Sequence, residues 1–563
     1  MTTLVARPTR ARHSGSRQQS LALSHQRLML LMLVFLGVAC VITGRIIWMN
    51  IASDAIAAPY AAINARADLV DRNGSVLART IEAHSIGVHP NRLLGKPELL
   101  AAQLARLMPE RSEVQYLEIL KSGKNFTYLR RRAMPELVAA VNALGEPGMA
   151  YAREPERLYP QTTLAAHVIG YTDFDGNGVM GMERVLNDQL SNPLGRSKPV
   201  ALSIDSRVQA AMESELSAAM TDLRAIGATG LVLDVDTGEV ISMVSLPLFN
   251  PNKSGQADTE SLRNNVTQSV YELGSTFKPL TVADAINSGS ITNLARRYDA
   301  TAPIQVGKYK ISDDHPMRRW LNTPETLVHS SNISTARIAD ELGSERAQVF
   351  FRKLGFGEPP HIELRERGRT LWPTSWGRVT NMTVAYGHGI AVTPLHLASA
   401  YAAIINGGIW RPATLLKVAP GKAAKGRRIV SPQTSDIMRK MLRLIVTEGT
   451  GKKANVPGFR IGGKTGTAEK PGVGGYSKTV NVSTFAAVFP MDKPRYVVIA
   501  MLDSPKGSAA SSGQTTAAYT AAPVVAKVIA RAGPMLGIYP DNNVDVDLSD
   551  MMPLLWKPKG GHE

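Results

Sequence analysis

Residues 274–279 read GSTFKP, and this stretch decides how the largest domain of the chain is interpreted. Proline is tolerated in the first turn of a helix but not in its interior, so Pro279 predicts that a helix begins close to Ser275. Gly289 predicts where that helix ends. Because residues three positions apart share one face of a helix, the Lys278 amine is predicted to lie beside the Ser275 hydroxyl.

Two more short motifs follow in the same direction along the chain. Residues 330–332 read SSN, 55 residues after Ser275, and residues 464–467 read KTGT, a further 134 residues on. Each motif is common by itself, and an SxxK pattern arises by chance about once or twice in a chain of this length at average composition. Their order is informative because together they supply a nucleophile, an amine base, a second hydroxyl with an amide, and a cation.

The three motifs fit the needs of acyl transfer to a serine. A serine hydroxyl is a poor nucleophile at neutral pH and needs a base, and lysine is a base only when it is neutral. Burial or a neighbouring cation lowers the pKa of an amine, and Lys464 is a candidate for that cation beside Lys278. A helix start at Ser275 also places backbone N–H groups near the oxygen that becomes charged on acylation.

Each motif also has an alternative interpretation. Ser275 alone favours a helix cap followed by a surface lysine, and residues 330–332 can cap the helix after them. Residues 458–465 also fit the phosphate-binding pattern GxxxxGK[ST], but that loop must run directly into a helix. The glycines and proline at 466–475 would not be tolerated in a helix, so nucleotide binding is disfavoured.

Hairpin patterns lie on both sides of the motifs. Residues 229–235 and 239–244 flank an Asp-Thr-Gly turn, and residues 480–489 and 495–502 form a second such pair. Helical patterns lie between the two pairs, at 279–288, 326–342, 394–405 and 432–446. Strands at both ends with helices between them predict an antiparallel sheet covered by helices, which is an α+β architecture.

The N-terminal region has the composition of a membrane anchor. Residues 28–44 are seventeen residues without a charge, and Trp48 would suit the interface beyond Arg45. Arginines but no acidic residues precede this stretch, so the positive-inside rule predicts a cytoplasmic tail at 1–27, a transmembrane helix at 28–48 and an exported remainder. A cleaved signal peptide is the competing interpretation, and the long apolar core disfavours it.

The rest of the chain divides into three predicted parts. Residues 49–200 are predicted to form an elongated α+β pedestal, in which 66–74 end in a hairpin turn signal. Helical spacing follows at 97–108 and 135–144. The motif-bearing domain is predicted at 201–540, and the tail at 541–563 is predicted to be loosely ordered because it is acidic and then rich in proline and glycine.

Composition restricts the remaining function classes. Cys40 is the one cysteine, which excludes an intrachain disulfide and a thiolate metal site. The formal charge of +17 would suit a polyanionic partner, but the basic residues are scattered apart from 121–132 and 422–428. Aromatic residues make up only 6%, so no stacking platform for nucleic acid bases is predicted.

The ordered motifs Ser-x-x-Lys, Ser-x-Asn and Lys-Thr-Gly resemble those of penicillin-recognising serine acyl-transferases, which are the penicillin-binding transpeptidases and serine β-lactamases. Ser331 stands where class A β-lactamases have aspartate. Residues 66–74 (RADLVDRNG) resemble the motif RGxIxDRNG at the start of the class B pedestal, with alanine replacing its glycine. Residues 271–275 (YELGS) are similar to the family's YEPGS, and residues 386–398 resemble a family segment after the second motif.

The resemblance runs from about residue 60 to residue 530 and implies a class B protein. Class A members carry a glycosyltransferase domain between membrane and pedestal, and the segment 49–200 is too short to hold both. The chain most resembles the division-specific type, FtsI, with the elongation-specific type as the alternative. Residues 183–187 spell the ExxLN motif of a deacylating glutamate, but they precede the nucleophile and are interpreted as coincidence.

The resemblance implies catalytic roles for four residues. Ser275 attacks the D-Ala-D-Ala carbonyl of a peptidoglycan stem peptide, and Lys278 takes its proton. Ser330 relays a proton to the departing D-alanine, with Lys464 close by. An amine on a second stem then resolves the acyl-enzyme and forms the crosslink, and no metal or cofactor is implied.

Substrate binding is implied for four further residues. Asn332 holds the donor peptide, and Thr465 and Thr467 bind the terminal carboxylate of the stem or of a β-lactam, with Gly466 between them. The oxyanion is expected on the backbone N–H groups of Ser275 and Thr467.

The implied setting is septal wall synthesis in cell division. The expected partners are stem peptides, lipid-linked precursor strands, β-lactams, a SEDS-family glycosyltransferase of the FtsW type and other divisome proteins, but not nucleic acid. The expected location is the bacterial inner membrane, crossed once, with the N-terminus cytoplasmic and the catalytic domain periplasmic. A β-lactam sensor or hydrolase and a non-enzymatic division scaffold on the same fold are the alternatives from other classes.

Overall fold

The computed structural model describes residues 25–45, 66–194, 198–307, 309–472 and 475–556, together with Leu23 and Trp48. Helix α1 (His25–Arg45) has 21 residues and a mean hydropathy of 2.3, and none of it is buried. A helix of about 20 apolar residues can cross a bilayer. The helix begins three residues before the predicted span, and the predicted tail before residue 23 lies outside the described residues.

The pedestal is an α+β module built on a five-stranded sheet of the described residues. Its strands are β1 (Leu69–Val70), β2 (Val76–Val88), β3 (Thr127–Ala133), β4 (Met149–Leu158) and β5 (Val200–Ala201). Its helices are α2 (Pro97–Leu107), α3 (Glu113–Leu120), α4 (Pro135–Asn142), α5 (Ala166–Ile169), α6 (Gly181–Val185) and α7 (Asn187–Ser191). The strand order is β3-β2-β1-β5, and β4 also pairs with β2.

The first hairpin of the pedestal forms where the sequence predicts it. Asp71 Oδ1 accepts hydrogen bonds from the backbone N–H groups of Asn73 and Ser75, each at 2.8 Å. Gly74 has φ +93°, a left-handed conformation that glycine adopts without steric cost. The turn therefore closes β1 onto β2 in an antiparallel pair.

A buried ion network fastens the N-terminal strand of the pedestal to its later helices. Glu183 is fully buried and pairs with Arg66 at 2.9 Å and with Arg157 at 2.7 Å. Arg66 also donates to Asn187 Oδ1 at 2.8 Å. Glu183 and Asn187 are the two ends of the ExxLN pattern, and both take part in pedestal packing. This agrees with the interpretation that the match to the deacylating motif is a coincidence.

The motif-bearing domain contains the rest of the elements. Its strands are β6 (Gly227–Asp234), β7 (Val240–Leu246), β8 (Arg297–Asp299), β9 (Ile304–Val306), β10 (Tyr309–Ile311), β11 (Trp320–Asn322), β12 (Ile409–Trp410), β13 (Arg427–Arg428), β14 (Gly462–Gly472), β15 (Gly475–Phe489) and β16 (Tyr496–Asp503). Its helices are α8 (Ser206–Asp222), α9 (Thr259–Leu262), α10 (Lys278–Asn287), α11 (Thr323–Val328), α12 (Asn332–Leu342), α13 (Ser344–Lys353), α14 (Arg378–Val384), α15 (Pro394–Ile405), α16 (Pro432–Glu448) and α17 (Ala521–Met535).

The main sheet is antiparallel throughout, with strand order β14-β15-β16-β6-β7. Successive side chains of a strand point to opposite faces of the sheet, and helices cover both faces of its central strands. Leu231 and Ile499 pack into the cluster that contains α15 and α16, whereas Val232 and Val498 pack into the cluster that contains α8 and α17. The predicted antiparallel sheet covered by helices is confirmed, and so is the α+β class.

The helix predicted at 326–342 is two helices rather than one. Helix α11 ends at Val328, and α12 begins at Asn332. Between them Ser330 has φ +56°, which a right-handed helix cannot contain. Ser331 then caps α12 by accepting a hydrogen bond from the Ser334 N–H at 3.1 Å. The prediction of one continuous helix was wrong because the break depends on contacts with the loop at residues 312–313, which is not adjacent in the sequence.

The prediction that the tail is loosely ordered was wrong for residues 541–556, which we call the C-terminal strap. Asp545 pairs with Arg443 on α16, with oxygens 2.9 and 3.0 Å from the guanidinium Nε. Met551 is only 1% exposed and belongs to the main hydrophobic core. Composition shows that the first part of the strap is acidic, but not that Asp545 and Asp550 pair with basic residues of α16. Residues 557–563 lie outside the described residues.

Candidate active site

The nucleophile segment is a tight turn that leads into α10. Residues Gly274–Phe277 form one 3₁₀ turn, and Pro279 lies in the first turn of α10, as predicted. The Tyr401 hydroxyl, on α15, donates to the Thr276 carbonyl at 2.8 Å and so fixes the turn against that helix. Gly289, with φ +80°, follows the end of the helix. Ser275 is half-buried at the start of this helix, where backbone N–H groups are unpaired by the helix itself.

Lys278 is the first residue of α10, and its side chain is completely buried. Its amine donates to the Ser330 carbonyl and, at 3.1 Å, to the Ser330 hydroxyl. Burial lowers the pKa of Lys278 to about 7, against the opposing charges of Asp313 and Asp314. The surface-lysine interpretation is therefore wrong. The proximity of this amine to the Ser275 hydroxyl stays a prediction from their shared helix face.

Lys464 approaches the same serine from the sheet. It is completely buried on β14 and donates to the Ser330 hydroxyl at 2.9 Å and to the Thr465 carbonyl at 3.0 Å. Burial and the positive charge of Lys278 hold the pKa of Lys464 well below its ordinary value. Two ammonium groups that share one acceptor repel each other, and this repulsion favours loss of a proton from the pair.

The turn at Ser330 is held by an aspartate that no motif singles out. Asp313 is 9% exposed and accepts from the Ser331 hydroxyl at 2.8 Å and from the Ile333 N–H at 2.9 Å. A left-handed non-glycine residue costs about 1–3 kcal/mol and persists only where its surroundings determine it. Sequence reasoning missed Asp313 because it lies 17 residues before Ser330 in a loop without a repeating pattern.

Asn332 opens α12 and is half-buried. It lies next to the region bounded by the nucleophile turn, the Ser330 turn and β14, which we call the cleft. Its side-chain amide donates to the Ser312 carbonyl at 3.0 Å, so the same loop that clamps Ser331 also fixes the orientation of Asn332.

The KTGT segment forms the part of β14 that faces the nucleophile turn. The Thr465 hydroxyl shares a hydrogen bond of 2.9 Å with that of Thr450, and the Thr467 hydroxyl accepts from the Ala517 N–H at 3.1 Å. A Cβ atom at Gly466 would lie 2.4 Å from the Leu273 carbonyl oxygen. Only glycine therefore lets the strand lie this close to the turn that carries Ser275.

Strand β14 is the edge of the main sheet, and this determines what can bind there. Among the described strands its one partner in the sheet is β15, and an edge strand is the kind of element that can pair with an added extended peptide. The glycines and lysine at 462–464 belong to this strand and are not followed by a helix. The P-loop interpretation is therefore excluded. The described residues bring two buried amines to the Ser330 hydroxyl, beside the turn that carries Ser275 and an edge strand of the main sheet.

Comparisons with known proteins agree with this chemistry. Residues 228–529 match the penicillin binding protein transpeptidase domain, and residues 62–198 match the penicillin-binding protein dimerisation domain. The chain is 40% identical over 484 residues to the probable peptidoglycan D,D-transpeptidase FtsI of Caulobacter vibrioides, covering 84% of this chain and 82% of that protein. The chain belongs to the penicillin-binding proteins.

Two further penicillin-binding proteins extend the comparison. The peptidoglycan D,D-transpeptidase FtsI of Escherichia coli K12 is 28% identical over 509 residues, which is 84% of each chain. The crystal structure of penicillin binding protein 3 from Mycobacterium tuberculosis, complexed with aztreonam, has a TM-score of 0.67 at 27% identity and covers 85% of this chain and 98% of that one. A dimerisation domain joined to a transpeptidase domain is the class B arrangement, so the class implied by the sequence motifs is confirmed.

Proposed function

We propose that this penicillin-binding protein is a peptidoglycan D,D-transpeptidase that crosslinks stem peptides through an acyl-enzyme on Ser275. One observation carries the proposal. Two buried amines, those of Lys278 and Lys464, converge on the Ser330 hydroxyl from different elements, beside the nucleophile turn and the edge strand β14. This arrangement can take a proton from a nucleophile and deliver a proton to a leaving amine.

Acylation begins with attack of Ser275 Oγ on the carbonyl carbon between the two D-alanines. Neutral Lys278 takes the hydroxyl proton, and the oxyanion is held by the N–H groups of Ser275 and Thr467. The C–N bond then breaks. The departing D-alanine nitrogen receives its proton from the Ser330 hydroxyl, which Lys278 and Lys464 replenish. A pKa near 7 suits Lys278 to both steps because it can accept and return a proton at neutral pH.

Transfer reverses the same proton path. The amine of a second stem attacks the ester carbon and loses a proton to the Lys278 and Ser330 pair, and Ser275 Oγ leaves with a proton. A β-lactam enters the first half of this path, but its leaving nitrogen stays tethered to the acyl group. The adduct therefore persists, which accounts for the family's affinity for penicillins.

Substrate positioning is assigned to β14 and the start of α12. The hydroxyls of Thr465 and Thr467 bind the terminal carboxylate, and Gly466 lets the strand lie close to Ser275. The Asn332 amide holds the donor peptide, supported by its fixed orientation against the Ser312 carbonyl.

Septal wall synthesis is the proposed cellular role. Two relatives that cover most of the chain are named FtsI, at 40% and 28% identity. Service in elongation stays the alternative. Depletion of the protein decides between them, since filamentous cells indicate division and round cells indicate elongation.

The proposed setting follows from α1 and the arginines before it. The chain crosses the inner membrane once, with the N-terminus in the cytoplasm and the transpeptidase domain in the periplasm. A SEDS-family glycosyltransferase of the FtsW type, working with divisome proteins and lipid-linked strands, supplies the glycan polymerisation that this chain is proposed to lack. A tag that is accessible to protease at residue 2 only after cells are lysed, and at the C-terminus in intact spheroplasts, supports this topology.

Labelling with a fluorescent penicillin tests the enzymatic proposal. The wild-type chain and a Ser290→Ala control, altered just beyond the far end of α10, are expected to form a long-lived adduct, whereas Ser275→Ala is expected to form none. Persistent labelling of Ser275→Ala contradicts the nucleophile assignment. Rapid release of the label from the wild type would indicate a hydrolase, and no labelling at all would indicate a non-enzymatic scaffold.

A further inference from the structure

The C-terminal strap contacts the two elements that bring Ser330 and Lys464 together, although it lies outside the cleft. One end of the strap binds α16 beneath the start of β14, and the other end binds the start of α11. These contacts were not anticipated from the sequence, and catalysis as described above does not use them.

The first end of the strap acts through Arg443. This arginine is 7% exposed, and its guanidinium is paired by Asp545 on one side. On the other side its Nη1 donates to the Ile461 carbonyl at 2.9 Å, directly before β14. A Cβ atom at Gly462 would lie 3.0 Å from the Arg443 backbone N, so β14 begins against the backbone of α16. Asp545 therefore fixes the guanidinium that holds the strand carrying Lys464.

The second end of the strap binds the capping box of α11. Asn322 and Glu325 cap that helix reciprocally, and each also contacts the strap. The Asn322 amide donates to the Leu554 carbonyl at 2.6 Å, and Glu325 accepts from the Trp556 N–H at 2.9 Å. Arg319 pairs with Glu325 at 2.9 Å and lies over the Trp556 ring, 5.1 Å from its centroid.

Helix α11 is short enough to transmit this contact to the site. Its six residues extend about 9 Å at 1.5 Å per residue, and Ser330 follows two residues after its last turn. At its far end α11 meets the end of α16, because a Cβ atom at Gly449 would lie 2.7 Å from the Val328 carbonyl oxygen. The strap, α11 and α16 thus form one packed frame around the Ser330 turn and the start of β14.

We propose that Asp545 and Trp556 are positioning residues, which hold α11 and β14 so that the Ser330 hydroxyl lies between the two lysine amines. The inference rests on the proposed function for its catalytic consequence. A displacement of about 1 Å in a reacting group can cost up to a hundredfold in rate. Loss of both strap contacts is expected to lower the rate of acylation without weakening the initial binding of penicillin.

The test uses the full-length chain in detergent and a fluorescent penicillin, with the acylation rate constant and the dissociation constant of the initial complex measured separately. In the double variant Asp545→Asn/Trp556→Ala the rate constant is expected to fall about tenfold, with the dissociation constant unchanged. Trp556→Phe keeps a ring beneath Arg319. It is therefore expected to recover the part of the acylation rate constant that Trp556→Ala loses. Asp550→Asn is the matched control, because it removes the exposed Lys440–Asp550 pair from the same strap.

Hydrogen exchange supplies a readout that does not depend on penicillin. Faster exchange in the double variant is expected at 328–333 and 461–467, but not in α8. Equal rate constants in all variants, with equal exchange, overturn the proposal. A fall of the same size in Asp550→Asn also overturns it, because the strap would then act only on general stability. If the wild type is not acylated, the proposed function fails, and hydrogen exchange alone decides the positioning role. If the double variant does not fold, the two single variants are measured in its place.

Discussion

Ser330 has a strained backbone and a side chain that accepts hydrogen bonds from two amines. A hydroxyl oxygen has two lone pairs and one proton, so acceptance from Lys278 and Lys464 leaves the O–H free to turn toward the cleft. The three groups can therefore exchange one proton without moving heavy atoms. This supports the proposed relay more strongly than the spacing of the motifs does.

The pKa of Lys278 predicts how acylation depends on pH. Lys278 acts as a base only when neutral, and its pKa is lowered to about 7 by burial. Below that pH the amine is protonated, so the acylation rate constant is expected to fall about tenfold per pH unit, and above it the rate constant should level off. Stopped-flow measurement with a fluorescent penicillin between pH 5 and 9, a range of about four units around this pKa, checks the prediction. A midpoint near the ordinary lysine pKa would contradict it.

The close contacts of Gly466 predict that adding a single Cβ atom at this position disturbs the site. A Cβ atom there would lie 2.4 Å from the Leu273 carbonyl oxygen and 2.7 Å from Thr276 Cγ2. Gly466→Ala should push β14 away from the nucleophile turn and lower the acylation rate constant roughly a hundredfold. Gly255→Ala is the control, since a Cβ atom there meets nothing within 4 Å. Penicillin labelling rates compare the two, and equal rates would show that the close approach is unimportant.

At the scale of elements, the break between α11 and α12 creates the second motif. One continuous helix would place Ser330 on a helical surface, whereas the break turns its hydroxyl toward both lysines and its carbonyl toward Lys278. The 312–313 loop maintains the break through Asp313 and the Ser312 carbonyl. The start of α12, with Ser331 and Asn332, thus depends on a loop that belongs to neither helix.

Asp313 predicts a coupled loss of stability and activity. Asp313→Ala removes the acceptor of the Ser331 hydroxyl and of the Ile333 N–H, and leaving buried donors unpaired costs about 1–3 kcal/mol. The turn at Ser330 should relax, so that penicillin acylation slows as well. Thermal unfolding and labelling rates measure both effects. Retention of full activity in a destabilised variant would show that Asp313 stabilises the fold without shaping the site.

At the scale of the molecule, the pedestal and the transpeptidase domain share one hydrophobic core at their junction. Leu69, Leu77 and Val168 of the pedestal belong to the same cluster as Leu202 and Leu231. The predicted domain limits at 49–200 and 201–540 stay predictions, because a shared core gives no sharp boundary among the described residues. The pedestal is therefore expected to move with the catalytic domain at its base.

The buried ion pairs of Glu183 predict that the pedestal can lose stability while the rate of penicillin labelling is unchanged. Its carboxylate is the shared partner of Arg66 and Arg157, and all three side chains are buried. Glu183→Gln leaves two buried guanidinium groups without that charge, and breaking a buried pair costs about 3–5 kcal/mol. A lower unfolding temperature is expected, with an unchanged labelling rate per folded molecule. Glu215→Gln, which alters the more exposed pair with Arg531, should have little effect.

The sequence by itself determined the elements whose signals are local. Pro279 marked the first turn of α10, and the Asp-Thr-Gly turn marked the β6–β7 hairpin, because turn residues act on their own backbone. Apolar periodicity located α15 and α16, because it is a property of each helix's own sequence. The ordered motifs also predicted the family, which the comparisons confirm.

Only the tertiary structure decided features that depend on residues far apart in the chain. The convergence of Lys278 and Lys464 on Ser330 joins segments 52 and 134 residues apart. The clamp by Asp313, the docking of Asp545 and Trp556, and the shared carboxylate of Glu183 likewise join distant segments. Periodicity describes a residue's own element but not the partner its side chain meets. Burial and charge neighbours, which set the pKa of both lysines, exist only once the chain has folded.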